Sequence, residues 1–183
     1  LGGDALNTLA FAVLAAAETI PAARRAALIR LLAQAAGARG MVGGQHLDLM
    51  AQQHAQPLTA EALQQLHRRK TGALISACFT LPAELAGLAV AERPQLERCG
   101  AALGLAYQIQ DDLLDVGGAT EDLGKTAGKD ARDGKQTYVS LWGVAVARQR
   151  ADAALATAEE AAATLPAPAP LLALLARIGR RQH

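Results

Sequence analysis

Three carboxylates lie close together within an otherwise apolar stretch of the chain. Asp111, Asp112 and Asp115 stand at positions i, i+1 and i+4, and Gln108 precedes the first of them by three residues. On a helix these four positions share one face. Because like charges on adjacent turns repel each other, the arrangement favours a bound cation. Mg²⁺ prefers one or two carboxylates together with phosphate oxygens and water, so the pattern predicts a Mg²⁺ site; the alternative is a solvated acidic patch.

A glycine-rich and charged segment, 117–136, follows these carboxylates. It has no apolar periodicity, and we therefore predict a functional loop. Its residues 124–126 (Gly-Lys-Thr) look like the end of a phosphate-binding P-loop, but Ala119 occupies the position of a required glycine and no strand precedes the loop. The basic residues of the segment are Lys125, Lys129, Arg132 and Lys135. Facing carboxylates that hold Mg²⁺, they would form a clamp for a diphosphate; the alternative is a solvated loop.

Two further groups of residues could belong to the same site. Gln45 and Asp48 lie about one turn apart on a predicted helix, and Lys70 begins a Lys-Thr-Gly sequence inside the apolar run 66–81. A lysine in such a run needs an anionic partner or a functional reason. For each residue taken alone, the alternative is a salt-bridged surface group, or a lysine whose ammonium group reaches solvent.

Composition restricts the classes of protein to consider. A length of 183 residues predicts one domain, 1–183, with a substantial core, and a net charge of +1 does not indicate nucleic-acid or anionic-membrane binding. The apolar run 9–17 is among the longest and is too short to span a bilayer.

Cys78 and Cys99 are predicted to be buried free thiols in a reducing compartment, the cytoplasm. The histidines form no metal motif and are predicted at surface or capping positions: His46, His54, His67 and His183.

The apolar periodicity is helical almost throughout, and no segment has the character of a strand. Thr59 is predicted to cap a helix, Pro82 to interrupt it, and Pro94 to open the next one. The fold class is therefore predicted to be all-α, with helices packed around a central space. The predicted helices span approximately residues 4–18, 21–36, 39–53, 60–80, 94–116, 137–164 and 171–180.

Taken together and in this order, the motifs resemble those of the trans-isoprenyl diphosphate synthases. They are GGQxxD at 43–48, KTG at 70–72, YQxQDDxLD at 107–115, and GKxxGKD at 124–130 followed by KxTY at 135–138. The resemblance is closest to the bacterial short-chain farnesyl diphosphate synthase (geranyltranstransferase) type. It extends from an LxGDAL segment at 1–6 to the basic residues at 177–181. It implies an isoprenoid-synthase-like helical bundle around a central cavity.

The resemblance also implies roles for individual residues. Asp111, Asp112 and Asp115 would form the second aspartate-rich motif of the family, with Asp111 as the main Mg²⁺ ligand. The oxygens of Thr71 and Gln108 would face an allylic cation. The implied reaction is head-to-tail prenyl transfer, in which an allylic diphosphate, dimethylallyl or geranyl, ionises and is attacked by the double bond of isopentenyl diphosphate.

The remaining implied roles concern the diphosphate. Lys70, Lys125 and Lys135 would bind it and neutralise it as it leaves. Gln45 and Asp48 would line the floor of the cavity and position the lysine and the metal. The family resemblance further implies a homodimer, with the apolar helix around 6–14 near the interface, and neither nucleic-acid binding nor stable membrane insertion.

One departure from the family pattern is large. The first aspartate motif, DDxxxxD or DDxxD, should precede the LxGDAL segment by some tens of residues, and nothing precedes Leu1. We therefore expect the C-terminal portion of the fold, lacking its N-terminal helices, holding half of the metal site and inactive alone. The alternatives are a non-catalytic subunit or truncated homologue that binds a partner chain, and a terpene cyclase, against which the KTG and GKxxGKD motifs speak.

Overall fold

In a computed structural model of the protein, residues 1–53, 57–88, 91–117 and 136–179 are described. Within them the chain is helical almost throughout and contains no strand, which confirms the predicted all-α class. No helix of this part of the chain is long and apolar enough to cross a bilayer. The elements in chain order are α1 (Gly2–Ala16), α2 (Ala22–Ala36), α3 (Met41–Gln53), α4 (Ala60–His67), a π-helical turn (Arg68–Gly72), α5 (Ala73–Ala86), α6 (Arg93–Gly117), α7 (Tyr138–Ala163) and α8 (Ala169–Gly179).

The helix ends follow local capping chemistry. The Thr59 hydroxyl accepts a hydrogen bond from the backbone N–H of Ala62 at 3.2 Å, as the sequence predicts. Thr137 and Ser140 form a reciprocal capping box at the start of α7.

The prediction for Pro82 is wrong, because this residue lies inside α5. The helix continues to Ala86 and stops at Gly87, whose φ of 66° is left-handed and favours glycine.

The core is built where α6 and α7 pack antiparallel. One cluster joins the first half of α6, around Leu103, to the second half of α7 and to Leu175 of α8. The other joins Ile109, later in α6, to Leu63 of α4 and to the first part of α7. The face of α7 that meets α6 carries small side chains, which let the two helices approach closely. Its buried alanines are Ala147, Ala151, Ala154, Ala158, Ala161 and Ala162.

Two predictions about side-chain burial need correction. Cys99 is fully buried, and burial raises the pKa of its thiol to about 11, but Cys78 is exposed on α5. His67 was predicted at the surface or at a cap, yet it is 5 % exposed and packs with its ring centroid 5.2 Å from that of Tyr138. The Tyr138 ring in turn stacks on Trp142 at 4.8 Å. The aromatic contacts thus fix the end of α4 against the start of α7.

Close backbone contacts hold the π-helical turn in place. A Cβ atom built on Gly44 of α3 would lie 2.1 Å from the backbone nitrogen of Lys70, a distance that real atoms do not tolerate. A Cβ atom on Gly104 of α6 would lie 3.0 Å from the Cα atom of Gly72. The absence of a side chain at Gly44 therefore allows this close approach of the two backbones. The turn is clamped between α3 and α6.

Gly44→Ala should lower the free energy of unfolding by at least about 2 kcal/mol, because the backbones of α3 and the π-helical turn must separate to accept the methyl group. Gly3→Ala is the matched control: it lies in α1, a Cβ atom there meets nothing within 4 Å, and alanine favours helix over glycine by about 1 kcal/mol. Chemical denaturation of both variants tests this. Equal stability of the two variants would contradict the close packing at Gly44.

Candidate functional site

The π-helical turn presents the Lys-Thr-Gly sequence that the sequence analysis singled out. Lys70, Thr71 and Gly72 all lie within it, between α4 and α5. A π-helical turn contains an extra residue relative to an α-helical turn, so side chains after it are rotated relative to those before it; such turns often mark functional sites. The sequence did not predict the turn. The one feature of the sequence that hints at an irregular turn is a lysine and a glycine in the middle of an apolar helical run.

The Lys70 side chain is held by a buried carboxylate of α3. Its Nζ atom lies 2.5 Å from Oδ2 of Asp48. The Asp48 side chain is 8 % exposed and that of Lys70 is 30 % exposed. Gln52, one turn further along α3, donates to the same carboxylate oxygen at 3.5 Å. A buried carboxylate needs a charged or hydrogen-bonded partner, and here that partner is the ammonium group of a lysine whose side chain is partly exposed.

A second set of polar contacts begins at Thr71 and runs along α6. The Thr71 hydroxyl donates to Oε1 of Gln108 at 3.0 Å. The side-chain amide of Gln108, which is 7 % exposed, donates through Nε2 to Oδ1 of Asp112 at 3.1 Å. The helical spacing predicts that Gln108 and Asp112 share one face, and the structure brings Thr71 of the π-helical turn onto that face.

Asp112 connects this set of contacts to α7. Its carboxylate is 2 % exposed, and Oδ2 accepts a hydrogen bond from the backbone N–H of Tyr138 at 2.7 Å. Tyr138 is the first residue of α7, so the carboxylate lies at the positive end of the helix dipole. Burial, and then the charge of Asp112, raise the pKa of the Tyr138 phenol. Asp112 thus fixes where α7 begins relative to α6.

The other two carboxylates of the motif are more accessible to solvent. Asp111 is exposed and Asp115 is partly exposed. Within the described ranges, no three His, Cys, Asp or Glu side chains come together in a way that could hold a metal ion. Two accessible carboxylates one helical turn apart nevertheless fit Mg²⁺, which binds one or two carboxylates and completes its shell with phosphate oxygens and water. The donor set therefore suits a cation that a diphosphate helps to hold.

The remaining predicted residues are not part of these contacts. Gln45 is exposed on α3. Lys125 and Lys135, with most of the predicted loop, lie outside the described residues. The last residue of that loop, Gln136, is described: its side chain makes two hydrogen bonds to the backbone of Leu58, at 2.5 and 2.9 Å. The end of the loop is thereby tied to the segment that leads into α4.

A cavity of about 310 Å³ lies between the π-helical turn, α6 and α7. It contacts Gly72 but none of the predicted site residues, so the enclosure of Asp111, Asp115, Lys70, Gln108 and Asp48 in one cavity stays a prediction. The residues that line it are Gln64, His67, Arg68, Gly72, Arg98, Ala101, Ala102, Gly104, Leu105 and Thr157.

The candidate residues offer three kinds of group. The ammonium group of Lys70 can bind an anion, the carboxylates of Asp111 and Asp115 can bind a hard cation, and the oxygens of Thr71 and Gln108 can stabilise positive charge. A site of this composition suits the cleavage of a bond whose products are an anion and a cation.

Comparison with known proteins identifies the family. The model of the polyprenyl synthetase family matches residues 1–167, and the protein belongs to this family. The chain is 46% identical over 154 residues to farnesyl diphosphate synthase of Escherichia coli (strain K12), a match that covers 82% of this chain and 51% of the relative. The chain spans about half the length of the curated relatives it matches.

Solved structures agree with the fold. An FPP/GFPP synthase from Zymomonas mobilis, in its apo form, superposes with a TM-score of 0.81 at 33% identity, over 97% of this chain and 59% of that one. A geranyltransferase from Helicobacter pylori, complexed with magnesium and isoprenyl diphosphate, superposes with a TM-score of 0.79 at 32% identity, over 96% of this chain and 57% of that one. The resemblance drawn from the sequence motifs is confirmed at the level of family and fold.

Lys70→Met should lower the free energy of unfolding by about 1–3 kcal/mol, because the Asp48 carboxylate stays buried without its charged partner. Adding Asp48→Asn in the same background should recover part of this loss, since a neutral amide is less costly to bury. The matched control is Glu160→Gln, which removes the exposed ion pair with Arg98 and should change the value by less than about 1 kcal/mol. Denaturant titration of the four proteins measures each difference.

A Lys70→Met variant as stable as the unchanged chain would mean that the Lys70–Asp48 contact contributes nothing to folding.

Proposed function

We propose that this chain forms the diphosphate-binding part of a Mg²⁺-dependent prenyltransferase of the farnesyl or geranyl diphosphate synthase type. The enzyme would condense an allylic diphosphate, dimethylallyl or geranyl, with isopentenyl diphosphate. The observation that carries the proposal is the junction at the π-helical turn, where adjacent residues Lys70 and Thr71 contact Asp48 of α3 and Gln108 of α6. The family assignment and the names of the relatives support the same chemistry.

The first step breaks the bond between C1 of the allylic chain and the diphosphate oxygen, and the pyrophosphate leaves with the electron pair. Lys70 is suited to neutralise this leaving group, because Asp48 holds its ammonium group in place and the Lys70 side chain is partly exposed. Lys125 and Lys135 would add positive charge from the loop. Interactions that strengthen as negative charge develops on the pyrophosphate lower the barrier directly.

The second step needs an allylic cation that survives until isopentenyl diphosphate attacks. The double bond of isopentenyl diphosphate forms the new carbon–carbon bond, and the condensed product then loses a proton to the departing pyrophosphate. Oxygen dipoles on one side of the cation can stabilise it without reacting, provided that water is excluded. We assign this role to Thr71 and Gln108, which are held by each other and by Asp112.

Asp111 and Asp115 are the residues that would hold Mg²⁺ on this side of the diphosphate. Asp112, which the motif also predicts as a ligand, is buried, and both of its oxygens accept hydrogen bonds from the protein. Once bound, the ion would neutralise phosphate oxygens as charge accumulates on the leaving group. The complex of the Helicobacter pylori relative contains both magnesium and isoprenyl diphosphate, which supports this pairing of ligands. Gln45, exposed one turn before Asp48, would line the floor of the same site.

We further propose that the protein is a homodimer with α1 near the interface. Three apolar side chains on this helix are largely exposed: Leu6 at 68%, Val13 at 61% and Leu9 at 54%. Continuous apolar surface of this kind favours association. Sedimentation of the full-length protein as a monomer at micromolar concentration would contradict the proposal.

The function is tested by assaying the protein encoded by the complete reading frame beside the 183-residue chain, with geranyl diphosphate, isopentenyl diphosphate and Mg²⁺. The complete protein should form farnesyl diphosphate and release pyrophosphate. The 183-residue chain should not form it, because the resemblance implies that the reaction also needs the first aspartate motif to stabilise the transition state. Each 1.4 kcal/mol of lost transition-state stabilisation slows the reaction about tenfold. Absence of prenyl transfer in the complete protein, folded and with Mg²⁺ present, would favour the alternative of a non-catalytic subunit.

A further inference from the structure

Asp112 differs from its two neighbours in the motif because both of its oxygens are already occupied. Oδ1 accepts from Gln108 at 3.1 Å, and Oδ2 accepts from the backbone of Tyr138 at 2.7 Å. Asp112 is 2 % exposed, whereas Asp111 is exposed to solvent. An ionised carboxylate has no hydrogen to donate. Each group that faces Asp112 must therefore be a donor.

This requirement fixes the orientation of the next side chain. Gln108 must turn its NH₂ group toward Asp112, so its carbonyl oxygen, Oε1, faces the other way. That oxygen lies 3.0 Å from the hydroxyl of Thr71 and can only accept. Thr71 must therefore donate its one hydroxyl hydrogen to Gln108. Both lone pairs of the Thr71 oxygen are left directed away from Gln108.

We propose that Asp112 is a positioning residue that sets the direction of the hydrogen-bond chain Thr71–Gln108–Asp112, so that Thr71 presents oxygen lone pairs and not a hydrogen to the developing allylic cation. The inference rests on the proposed function. It assigns Asp112 a different task from that of Asp111 and Asp115, which are more accessible to solvent and can bind Mg²⁺. A hydrogen directed at the cation would repel it, whereas a lone pair attracts it.

Both ends of the hydrogen-bond chain Thr71–Gln108–Asp112 are held in place. Asp112 is fixed by a backbone N–H at the start of α7, and Thr71 by the clamped backbone of the π-helical turn. The backbone at neither end can shift to compensate for a reversed amide in the middle, and only the Thr71 hydroxyl hydrogen can turn. The direction of the chain therefore depends on the chemical identity of residue 112, and not only on its size.

The decisive variant is Asp112→Asn in the complete protein. The Asn carbonyl oxygen would accept from Tyr138, and its NH₂ group would then face Gln108. Gln108 would have to reverse, with its own NH₂ group toward Thr71, and Thr71 would direct its hydrogen toward the substrate. We expect kcat to fall on the order of 10²-fold. The KM for geranyl diphosphate and the Mg²⁺ concentration for half-maximal rate should stay unchanged.

Asp111→Asn provides the contrast. Because Asp111 is the proposed metal ligand, this variant should raise the Mg²⁺ concentration needed for half-maximal rate. If Asp112→Asn raises that concentration to the same extent, then Asp112 acts as a metal ligand and the positioning role is overturned.

A rescue variant separates direction from simple structural damage. In the double variant Gln108→Glu with Asp112→Asn, the amide and the carboxylate exchange places and the net charge is unchanged. The Asn NH₂ group would donate to the Glu carboxylate, which would also accept from Thr71, so the original direction is restored. We expect kcat to return to within about tenfold of the unchanged protein, a coupling between adjacent residues that a double-mutant cycle measures. Failure of the rescue, in a protein that unfolds at the same temperature, would overturn the proposal.

The control is Asp152→Asn, the same substitution at an exposed position of α7, which should leave all rates unchanged. The thermal midpoint of each variant provides a readout that does not need catalysis. Gln108→Glu alone places two carboxylates together and should lower the midpoint by a few degrees, and Asp112→Asn should reverse that loss. Absence of prenyl transfer in the unchanged protein would reject the proposed function only. If the changes in thermal midpoint caused by Gln108→Glu and by Asp112→Asn are additive in the double variant, the hydrogen-bond chain is rejected.

Discussion

The close contact between Gly44 and the backbone of Lys70 is the constraint on which the rest of the site depends. Without a side chain at position 44, α3 approaches the π-helical turn so closely that no other residue would fit. That approach brings Asp48, one turn further along α3, within 2.5 Å of the Lys70 ammonium group. Gly104 allows a similar approach of α6 on the other side. The turn is thus held between two helices, and each helix supplies a partner for one of its side chains.

The three carboxylates of the motif divide their work according to where they face. A residue advances about 100° around a helix axis, so adjacent aspartates cannot both point the same way. Asp112 faces inward and joins α6 to α7, whereas Asp111 faces solvent and Asp115 lies between these extremes. One motif can therefore combine a buried, hydrogen-bonded anchor with accessible ligands. The anchor keeps the accessible pair at a fixed position relative to Thr71.

The sequence predicted the helices better than it predicted local geometry. Periodicity and capping residues such as Thr59 identified each helix, because packing and caps are encoded locally. The π-helical turn could not be predicted, since residues 60–70 are mostly good helix formers and the contacts of the turn with α3 and α6 are tertiary. The prediction for Pro82 failed for a related reason: packing of α5 between α2 and α6 holds the helix together across the lost hydrogen bond. The burial of His67 likewise depends on a tertiary contact, with Tyr138.

The most direct test of the central claim is a crystal structure of the complete protein with Mg²⁺ and an allylic thiolodiphosphate that does not ionise. We expect Lys70 to contact the diphosphate, and the Thr71 oxygen to lie close to C1 of the allylic chain, where its dipole can stabilise the developing cation. Gln108 should remain hydrogen-bonded to both Thr71 and Asp112 in that complex. A diphosphate bound away from the π-helical turn, with Thr71 and Gln108 facing only protein, would contradict the account.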